Sequence, residues 1–186
     1  MEHITLHKAA GHFRTITKHH HLVMGYCFRA GLYRQGLMHD LSKFSPEEFL
    51  VGARYWQEGK RSPNNAEREA TGLSRSWLHH KGRNKHHYEY WIDYALDSPN
   101  GLGGGKMPRR YVAEMIFDRV SASKVYKGDA YTDSCPLEYF MNGKDKCWYI
   151  HKTTLAQMEF LLRMWAERGE DYTIRYIRKV FLKGCR

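Results

Sequence analysis

Residues 4–30 read ITLHKAAGHFRTITKHHHLVMGYCFRA and predict one long amphipathic helix. Apolar, aromatic and histidine residues recur every three or four positions, as expected for a helix face that packs against a core. This face consists of His12, Ile16, His19, Val23, Tyr26 and Ala30. His19 lies among apolar neighbours, where an imidazole is costly unless its nitrogens are paired. It is therefore either a core histidine bonded to a backbone carbonyl or a ligand of a metal ion.

The remainder of the chain also predicts helices. Ser45-Pro46-Glu47-Glu48 is typical of a helix start, because serine caps the first turn, proline fits the first helical position and glutamates favour the positive end of the helix dipole. Further helices are predicted over residues 31–43, 45–56, 74–96, 108–126, 137–142, 151–168 and 171–183. Between them we expect loops at 59–72, with at most a short helix, at the glycine-rich and flexible 97–107, and at 127–136. No run alternates as a strand, so the predicted class is all-α.

Size and charge restrict the kinds of protein this can be. The 186 residues predict a single helical domain over 1–186, with metal-site helices at about 12–126 and closing helices at about 151–183. The formal net charge of +10 favours anionic partners, such as nucleotides or nucleic acid. The four cysteines form no CxxC pair, which excludes a zinc ribbon and indicates reduced thiols. Without a signal peptide or a bilayer-spanning apolar stretch, a cytoplasmic protein with no membrane contact is expected.

The dipeptide His39-Asp40 is the most informative motif for function. It lies within Gly36-Leu37-Met38-His39-Asp40-Leu41-Ser42-Lys43. Side chains of adjacent residues diverge by about 100° in a helix, but both can reach one ion near a helix end. Imidazole nitrogen and carboxylate oxygen together suit Fe, Mn, Ni, Co or Zn. The motif is therefore a candidate site for a divalent transition metal ion, one of the one or two that the resemblance below implies as cofactors.

Two further segments supply residues of the same kind. His80, Asn84, His87 and Trp91 lie at helical spacing and offer two imidazoles on one face. The pair His79 and His86 has the same spacing on a neighbouring face, and periodicity does not decide which pair points inward. Asp118 lies in an otherwise apolar helix, where a buried carboxylate needs a cation or hydrogen-bond donors.

The ordered series of His, His-Asp, His, His-His and Asp resembles the HD superfamily of metal-dependent phosphohydrolases. The chain is most similar to a bacterial HD-like family of unknown function, over most of its length and especially in residues 39–49, 77–87 and 114–118. This resemblance implies an HD-type helical bundle in which four residues hold the first metal. These ligands are His19, His39, Asp40 and Asp118. The additional ligands of a second metal are His80 and either His86 or His87, of which we take His80 and His87.

The resemblance also implies a reaction. The expected activity is hydrolysis of a phosphate ester by metal-activated water, with a small phosphorylated molecule, most readily a nucleotide, as substrate. Besides Asp40, we expect Lys43 and Arg83 to act in catalysis by neutralising the substrate phosphate, with Arg109 or Arg110 as further candidates. Glu114 precedes Asp118 by one helical turn and is a candidate for orienting a ligand histidine.

Two alternatives follow from other features. HD-like bundles with a dinuclear iron centre also activate oxygen, and the extra histidines are compatible with that chemistry. The last predicted helix places Ile174, Ile177 and Phe181 on one stripe among basic residues. This arrangement suits either a basic nucleic-acid-binding protein without catalysis or, more simply, a closing helix whose apolar stripe covers the core.

Overall fold

The computed structural model describes residues 3–96, 98 and 100–184, and helices dominate this part of the chain. The α-helices are α1 (Leu6–Ala30), α2 (Tyr33–Met38), α3 (Pro46–Arg54), α4 (Pro63–Thr71), α5 (Arg75–Lys81), α6 (Arg109–Lys127), α7 (Cys135–Gly143) and α8 (Lys152–Tyr176). Shorter helical turns are Leu41–Phe44, Tyr88–Trp91, Gly128–Ala130 and Lys144–Lys146, which are 3₁₀, and Ile177–Phe181, which is a π-helix. The predicted all-α class is confirmed.

The long helix α1 has the boundaries and the buried face that its sequence predicts. Thr5 caps its start, because Oγ1 accepts a hydrogen bond from the backbone N–H of Lys8 at 3.2 Å. Gly31 ends the helix at φ 83°, in the left-handed region that glycine adopts readily. All six residues of the predicted face are buried. The helix packs against α2, α3 and α6, so that its buried face lies at the centre of the fold.

The closing helices cover the other side of α6. Phe117 of α6 and Trp165 of α8 are fully buried, and burying a side chain of this size contributes roughly 1.5–3 kcal/mol. The break predicted between residues 168 and 171 is found at Gly169, whose backbone (φ 75°, ψ 177°) is not helical. Ile174, Ile177 and Phe181 all belong to the core. The apolar stripe of the last segment therefore serves the core.

The prediction of one helix over residues 74–96 is wrong. Helix α5 ends at Lys81, and the chain then turns before forming strand β1 (Ile92–Tyr94). This strand pairs antiparallel with β2 (Leu102–Gly104), with Ile92 opposite Gly104. The expectation that no strand forms is therefore also wrong. The helical spacing of the histidines in this segment does not reflect a continuous helix.

Part of the glycine-rich segment, which the sequence predicts as a flexible loop, forms regular structure. A Cβ at Gly104 would collide with the carbonyl oxygen of Tyr149, so the hairpin approaches the neighbouring backbone more closely than other residues allow. Residues 102–104 of the predicted flexible loop thus form part of a packed strand. Within the same predicted loop, Asp97 and Pro99 lie outside the described residues.

Helix α4 occupies most of a segment predicted as a loop with at most a short helix. Its nine residues are mostly polar, which concealed it, but Ala66 and Glu67 are buried. The carboxylate of Glu67 accepts hydrogen bonds from Ser74 Oγ at 2.5 Å, Ser76 Oγ at 2.6 Å and the backbone N–H of Arg75 at 3.0 Å. These bonds fasten α4 to the first turn of α5.

Within the described ranges, none of the helices combines the length and the apolar character of a membrane-spanning segment.

Candidate metal centre

The His39-Asp40 dipeptide lies where α2 ends, as its sequence context suggests. The predicted helix over 31–43 stops at Met38, and Asp40 adopts a left-handed backbone conformation with φ 54°. A residue other than glycine is held in this region at a cost of about 1–3 kcal/mol. His20 supports the turn through Nδ1, which lies 2.8 Å from the carbonyl oxygen of His39. The turn directs both side chains into the interior, where each residue is only 1% exposed.

The first ligand set consists of His19, His39, Asp40 and Asp118. His19 Nε2 lies 3.0 Å from Asp118 Oδ1 and 3.6 Å from Asp40 Oδ2. His39 Nε2 lies 3.4 Å from Asp40 Oδ2 and 3.7 Å from Asp118 Oδ1. One ligand atom from each of the four residues lies within 4.8 Å of the others, a spacing that can hold one metal ion. The structure therefore brings together all four residues expected around the first metal.

The second ligand set consists of Asp40, His80, His86 and His87. Asp40 uses its other oxygen here, because Oδ1 lies 3.3 Å from His80 Nε2 and 3.2 Å from His86 Nε2. His80 Nε2 and His87 Nε2 lie 2.9 Å apart. The expected His80 and His87 are thus in place, and the structure adds His86 to them. One ligand atom from each of these four residues also lies within 4.8 Å of the others.

Two buried glutamates contact the Nδ1 atoms of the histidines, on the side of each ring away from Nε2. Glu114 Oε1 lies 3.0 Å from His39 Nδ1 and 3.1 Å from His86 Nδ1, so it serves one histidine of each set. Glu48 Oε2 lies 2.8 Å from His80 Nδ1, and its Oε1 lies 2.6 Å from His79 Nδ1. When Nδ1 donates its proton to a carboxylate, Nε2 carries a lone pair and is ready to bind a metal. The expectation that Glu114 orients a ligand histidine agrees with this geometry.

The buried ligand atoms of the two sets are better arranged to bind divalent cations than to form hydrogen bonds with one another. Among the described residues, Asp40 Oδ1 and His86 Nε2 are buried and form no well-directed hydrogen bond, although they lie 3.2 Å apart, and Asp40 Oδ2 lies 2.6 Å from the ammonium nitrogen of Lys43. Nδ1 of His80 and His86 faces a glutamate, and Nε2 faces an anionic oxygen of Asp40. Burial lowers the pKa of both histidines, but these carboxylates outweigh burial and raise both pKa values, that of His86 to about 10. This arrangement is costly unless a cation lies between the groups. Imidazole and carboxylate donors suit Fe, Mn, Co, Ni and Zn. The residues present thus fit two ions that share Asp40.

The pKa values follow from burial and from these contacts. Burial raises the pKa of Glu114, but hydrogen bonds from His39 and His86 outweigh this effect and lower the pKa to about 2. Burial also opposes the charge of Asp118, yet its hydrogen bond with His19 holds the pKa well below its usual value. His87 has its pKa lowered far below the ordinary value, chiefly by burial. Ionised carboxylates and neutral imidazole are the protonation states that bind metals.

Both ligand sets open into one cavity of about 840 Å³. His19 and Asp118 of the first set and His80 and His87 of the second set line its wall. Lys43 lines it too, with Nζ 2.6 Å from Asp40 Oδ2. Asp40 and Asp118 raise the pKa of Lys43, although burial opposes the charge, so the ammonium group stays protonated. A positive charge therefore lies directly beside the centre, within reach of whatever enters the cavity.

The expected arginines lie elsewhere. Arg83 donates a hydrogen bond to the carbonyl oxygen of His79 at 3.2 Å and is not part of the cavity wall. Arg109 bonds to the carbonyl oxygen of Phe181, and Arg110 lies over the ring of Tyr111. The wall contains Arg119 instead. The structure thus brings Lys43 to the cavity but none of the three arginines chosen from the sequence.

Three contributors were missed at the level of sequence. His86 was treated as an alternative to His87 because both were assumed to lie on one helix, where adjacent residues diverge. Since α5 ends at Lys81, both can face the centre. Glu48 was interpreted only as a helix-start residue, although it follows His39-Asp40 closely. Gln35, whose Nε2 donates to Glu114 Oε2 at 2.6 Å, carries no recognisable signal.

Comparison with known proteins adds a family but no activity. A family model described as "Family of unknown function (DUF5662)" matches residues 8–164. This range contains every residue of both ligand sets and both supporting glutamates. No curated protein and no solved structure matches the chain. The protein therefore belongs to the DUF5662 family, whose function is unknown.

Proposed function

We propose that the protein is a metal-dependent phosphohydrolase of the HD type that hydrolyses a phosphate ester of a nucleotide. One observation carries this proposal: the two oxygens of Asp40 face two separate ligand sets, and both sets open into the same cavity. When bound, a pair of divalent cations lowers the pKa of water and withdraws charge from a phosphoryl oxygen. Such a pair is suited to hydrolysis of a phosphate ester.

The side chains of this chain supply the remaining requirements. The glutamates fix the ligand histidines: Glu114 through His39 and His86, and Glu48 through His80. Lys43 remains charged and lies at the cavity wall, where it can neutralise a phosphate oxygen. In place of Arg83, we assign Arg119 as the second cationic residue that faces the substrate, because it follows Asp118 in the chain and lines the cavity.

The substrate class follows from the size and lining of the cavity. A volume of about 840 Å³ lies in the range that holds small organic ligands. Aromatic side chains lie in the wall with the cationic Lys43 and Arg119, including Trp77, Tyr88, Tyr126 and Tyr149. Aromatic rings stack on nucleobases and the ammonium group of Lys43 can bind a phosphate, so this combination favours a nucleotide. We place the activity in the cytoplasm, in keeping with the free thiols of Cys27, Cys135 and Cys147.

The first experiment is a substrate screen of metal-loaded protein. Mononucleotides, cyclic nucleotides and generic phosphate esters are supplied with Mn, Co, Ni, Zn or Mg, beside the His39→Ala and Asp40→Ala variants. We expect hydrolysis by the native chain and its loss in both variants. Hydrolysis that persists in both variants would remove this centre from the explanation. Elemental analysis of the same preparations should find two ions per native chain.

Iron-loaded protein, prepared beside the other metal-loaded samples, tests the oxygenase alternative, which the three histidines of the second ligand set keep open. A dinuclear iron oxygenase would work with iron alone and would show absorbance and spin-resonance signals that change during turnover. A hydrolase works with redox-inert Mg or with Mn or Co. Activity confined to iron and dependent on oxygen would favour the oxygenase over the phosphohydrolase.

A further inference from the structure

One wall of the cavity combines two tyrosines with a carboxylate and a guanidinium group. Tyr88, Glu89, Arg119 and Tyr149 all line it. The ring centroids of Tyr88 and Tyr149 lie 6.0 Å apart, and Cζ of Arg119 lies 5.9 Å from the ring centroid of Tyr88. The proposed function assigns the phosphate to the two ligand sets and Lys43, and it assigns Arg119 and the tyrosines to the substrate without naming the group that they contact.

The two charged groups of the wall lie near each other without being joined. The carboxylate of Glu89 and the guanidinium group of Arg119 carry opposite charges, and both residues line the cavity. In the described part of the chain the two side chains nevertheless form no ion pair. Arg119 Nε is buried and, among the same residues, has no hydrogen-bond partner. Arg119 is half-buried and lines the cavity, so its guanidinium group is suited to a ligand that supplies hydrogen-bond acceptors.

The wall lies directly beside both ligand sets. Glu89 follows His87 of the second set by two residues, and Arg119 follows Asp118 of the first set by one. Consecutive Cα atoms are about 3.8 Å apart, so the Cα atoms of Glu89 and Arg119 lie within about 8 Å of the Cα atom of a proposed metal ligand. A nucleotide that places its phosphate at the centre could therefore extend its sugar, and beyond the sugar its base, along this wall.

We propose that this wall recognises the guanine base of a guanine nucleotide, an inference that rests on the proposed function in taking the substrate to be a nucleotide. Guanine presents the adjacent donors N1–H and N2–H, which Glu89 can accept, and the adjacent acceptors O6 and N7, which suit the fork of Arg119. The tyrosine rings provide a surface on which the base can stack. Adenine instead presents an acceptor at N1, which a carboxylate repels.

The test measures binding, so that it does not depend on catalysis. Metal-loaded protein is titrated calorimetrically with GMP, IMP and AMP. We expect GMP to bind at least about tenfold more tightly than AMP, because each well-formed bidentate pair discriminates by about 1–3 kcal/mol. IMP, which lacks the 2-amino group but keeps O6 and N7, should lie between them. Equal affinities for GMP and AMP would overturn the inference.

Two variants assign the preference to named side chains. Glu89→Gln keeps the shape but replaces one acceptor by a donor, so GMP affinity should fall about tenfold to a hundredfold while AMP affinity changes little. Arg119→Lys keeps the charge but loses the fork, and should also weaken GMP more than AMP. Glu138→Gln, on the exposed side of α7 and outside the cavity wall, is the matched control. An equal loss for GMP and AMP in Glu89→Gln would indicate a structural role and sink the assignment.

Failure of this inference can be told apart from failure of the proposed function. The base-free ester p-nitrophenyl phosphate is tested beside the nucleotides. Preferential GMP binding without hydrolysis of any ester would support the base site and contradict the phosphohydrolase. Hydrolysis of p-nitrophenyl phosphate and of GMP and AMP alike, without a binding preference, would support the hydrolase and contradict the base site.

Discussion

The two ligand sets that share Asp40 are built in different ways. Apart from the turn at His39 and Asp40, the first set uses side chains of the long helices, His19 on α1 and Asp118 on α6. The second set uses the end of the short helix α5 and the irregular segment after it, which carries His86 and His87. A long helix is rigid and its faces follow from its period, whereas a short helix and a turn depend on contacts from elsewhere. The second set therefore depends more on supporting residues than the first.

Asp40 is the residue both ligand sets share, and changing it gives the largest expected effect. Asp40→Asn should retain the backbone, because asparagine tolerates left-handed conformations better than most residues. It removes the negative charge from both sets at once. We expect the metal content to fall from two ions per chain to none and phosphate-ester hydrolysis to disappear, as measured by elemental analysis and a substrate assay. Retention of two ions by this variant would show that Asp40 does not bridge them.

The glutamates allow the two sets to be weakened together or separately. Glu114 contacts His39 and His86, so Glu114→Gln should lower metal affinity in both sets by about 10–100-fold. Glu48 contacts His80 but no residue that belongs only to the first set, so Glu48→Gln should weaken one ion by a similar factor and leave the other unchanged. Titration against a chelator measures both steps, with Glu138→Gln as the control. A single weakened step in Glu114→Gln would contradict its shared role.

A substitution remote from the ligand atoms tests how the second set is supported. Glu67 is buried and accepts hydrogen bonds from Ser74, Arg75 and Ser76 at the start of α5. Glu67→Gln leaves some of these donors poorly paired and should cost about 1–3 kcal/mol of unfolding free energy. Denaturant unfolding measures this cost. In the same variant we expect the ion of the second set to dissociate more readily than that of the first; equal weakening would mean that α5 is not an independent support.

The last prediction compares two basic residues that follow ligand histidines in the chain, and the smallest effect is expected at Arg83. Lys43 lies beside Asp40 at the cavity wall, and Lys43→Ala should lower kcat/KM about tenfold to a hundredfold, as expected for a lost hydrogen bond between charged groups. Arg83 is exposed and, within the described part of the chain, bonds only to the carbonyl oxygen of His79, so Arg83→Ala should change kcat/KM by less than about twofold. Steady-state kinetics on one phosphate ester measures kcat/KM for both variants. A larger loss in Arg83→Ala than in Lys43→Ala would support the prediction from sequence that Arg83 neutralises the substrate phosphate.

The helical periodicity of the sequence predicted the long helices correctly. The buried face of α1, the position of His19 on it and the bounds of α6 all follow from three- and four-residue spacing. The same reasoning failed over residues 74–96, where His80, His87 and Trp91 matched a helical period by coincidence. A 3₁₀ turn and strand β1 form there instead, and β1 pairs with β2, where Gly104 packs against the backbone near Tyr149; such contacts between distant segments leave no periodic signal.

The sequence by itself determined the all-α class, the long first helix, and a series of histidines and aspartates in an order suited to metal binding. Only the tertiary structure decided that His86 and His87 both face the centre, that Glu48 and Glu114 orient the ligand histidines, and that Arg119 instead of Arg83 faces the cavity. The physical reason is the range of the interactions concerned. Helix formation depends on neighbours three or four residues apart, whereas a metal centre depends on side chains from distant segments meeting within a few ångströms.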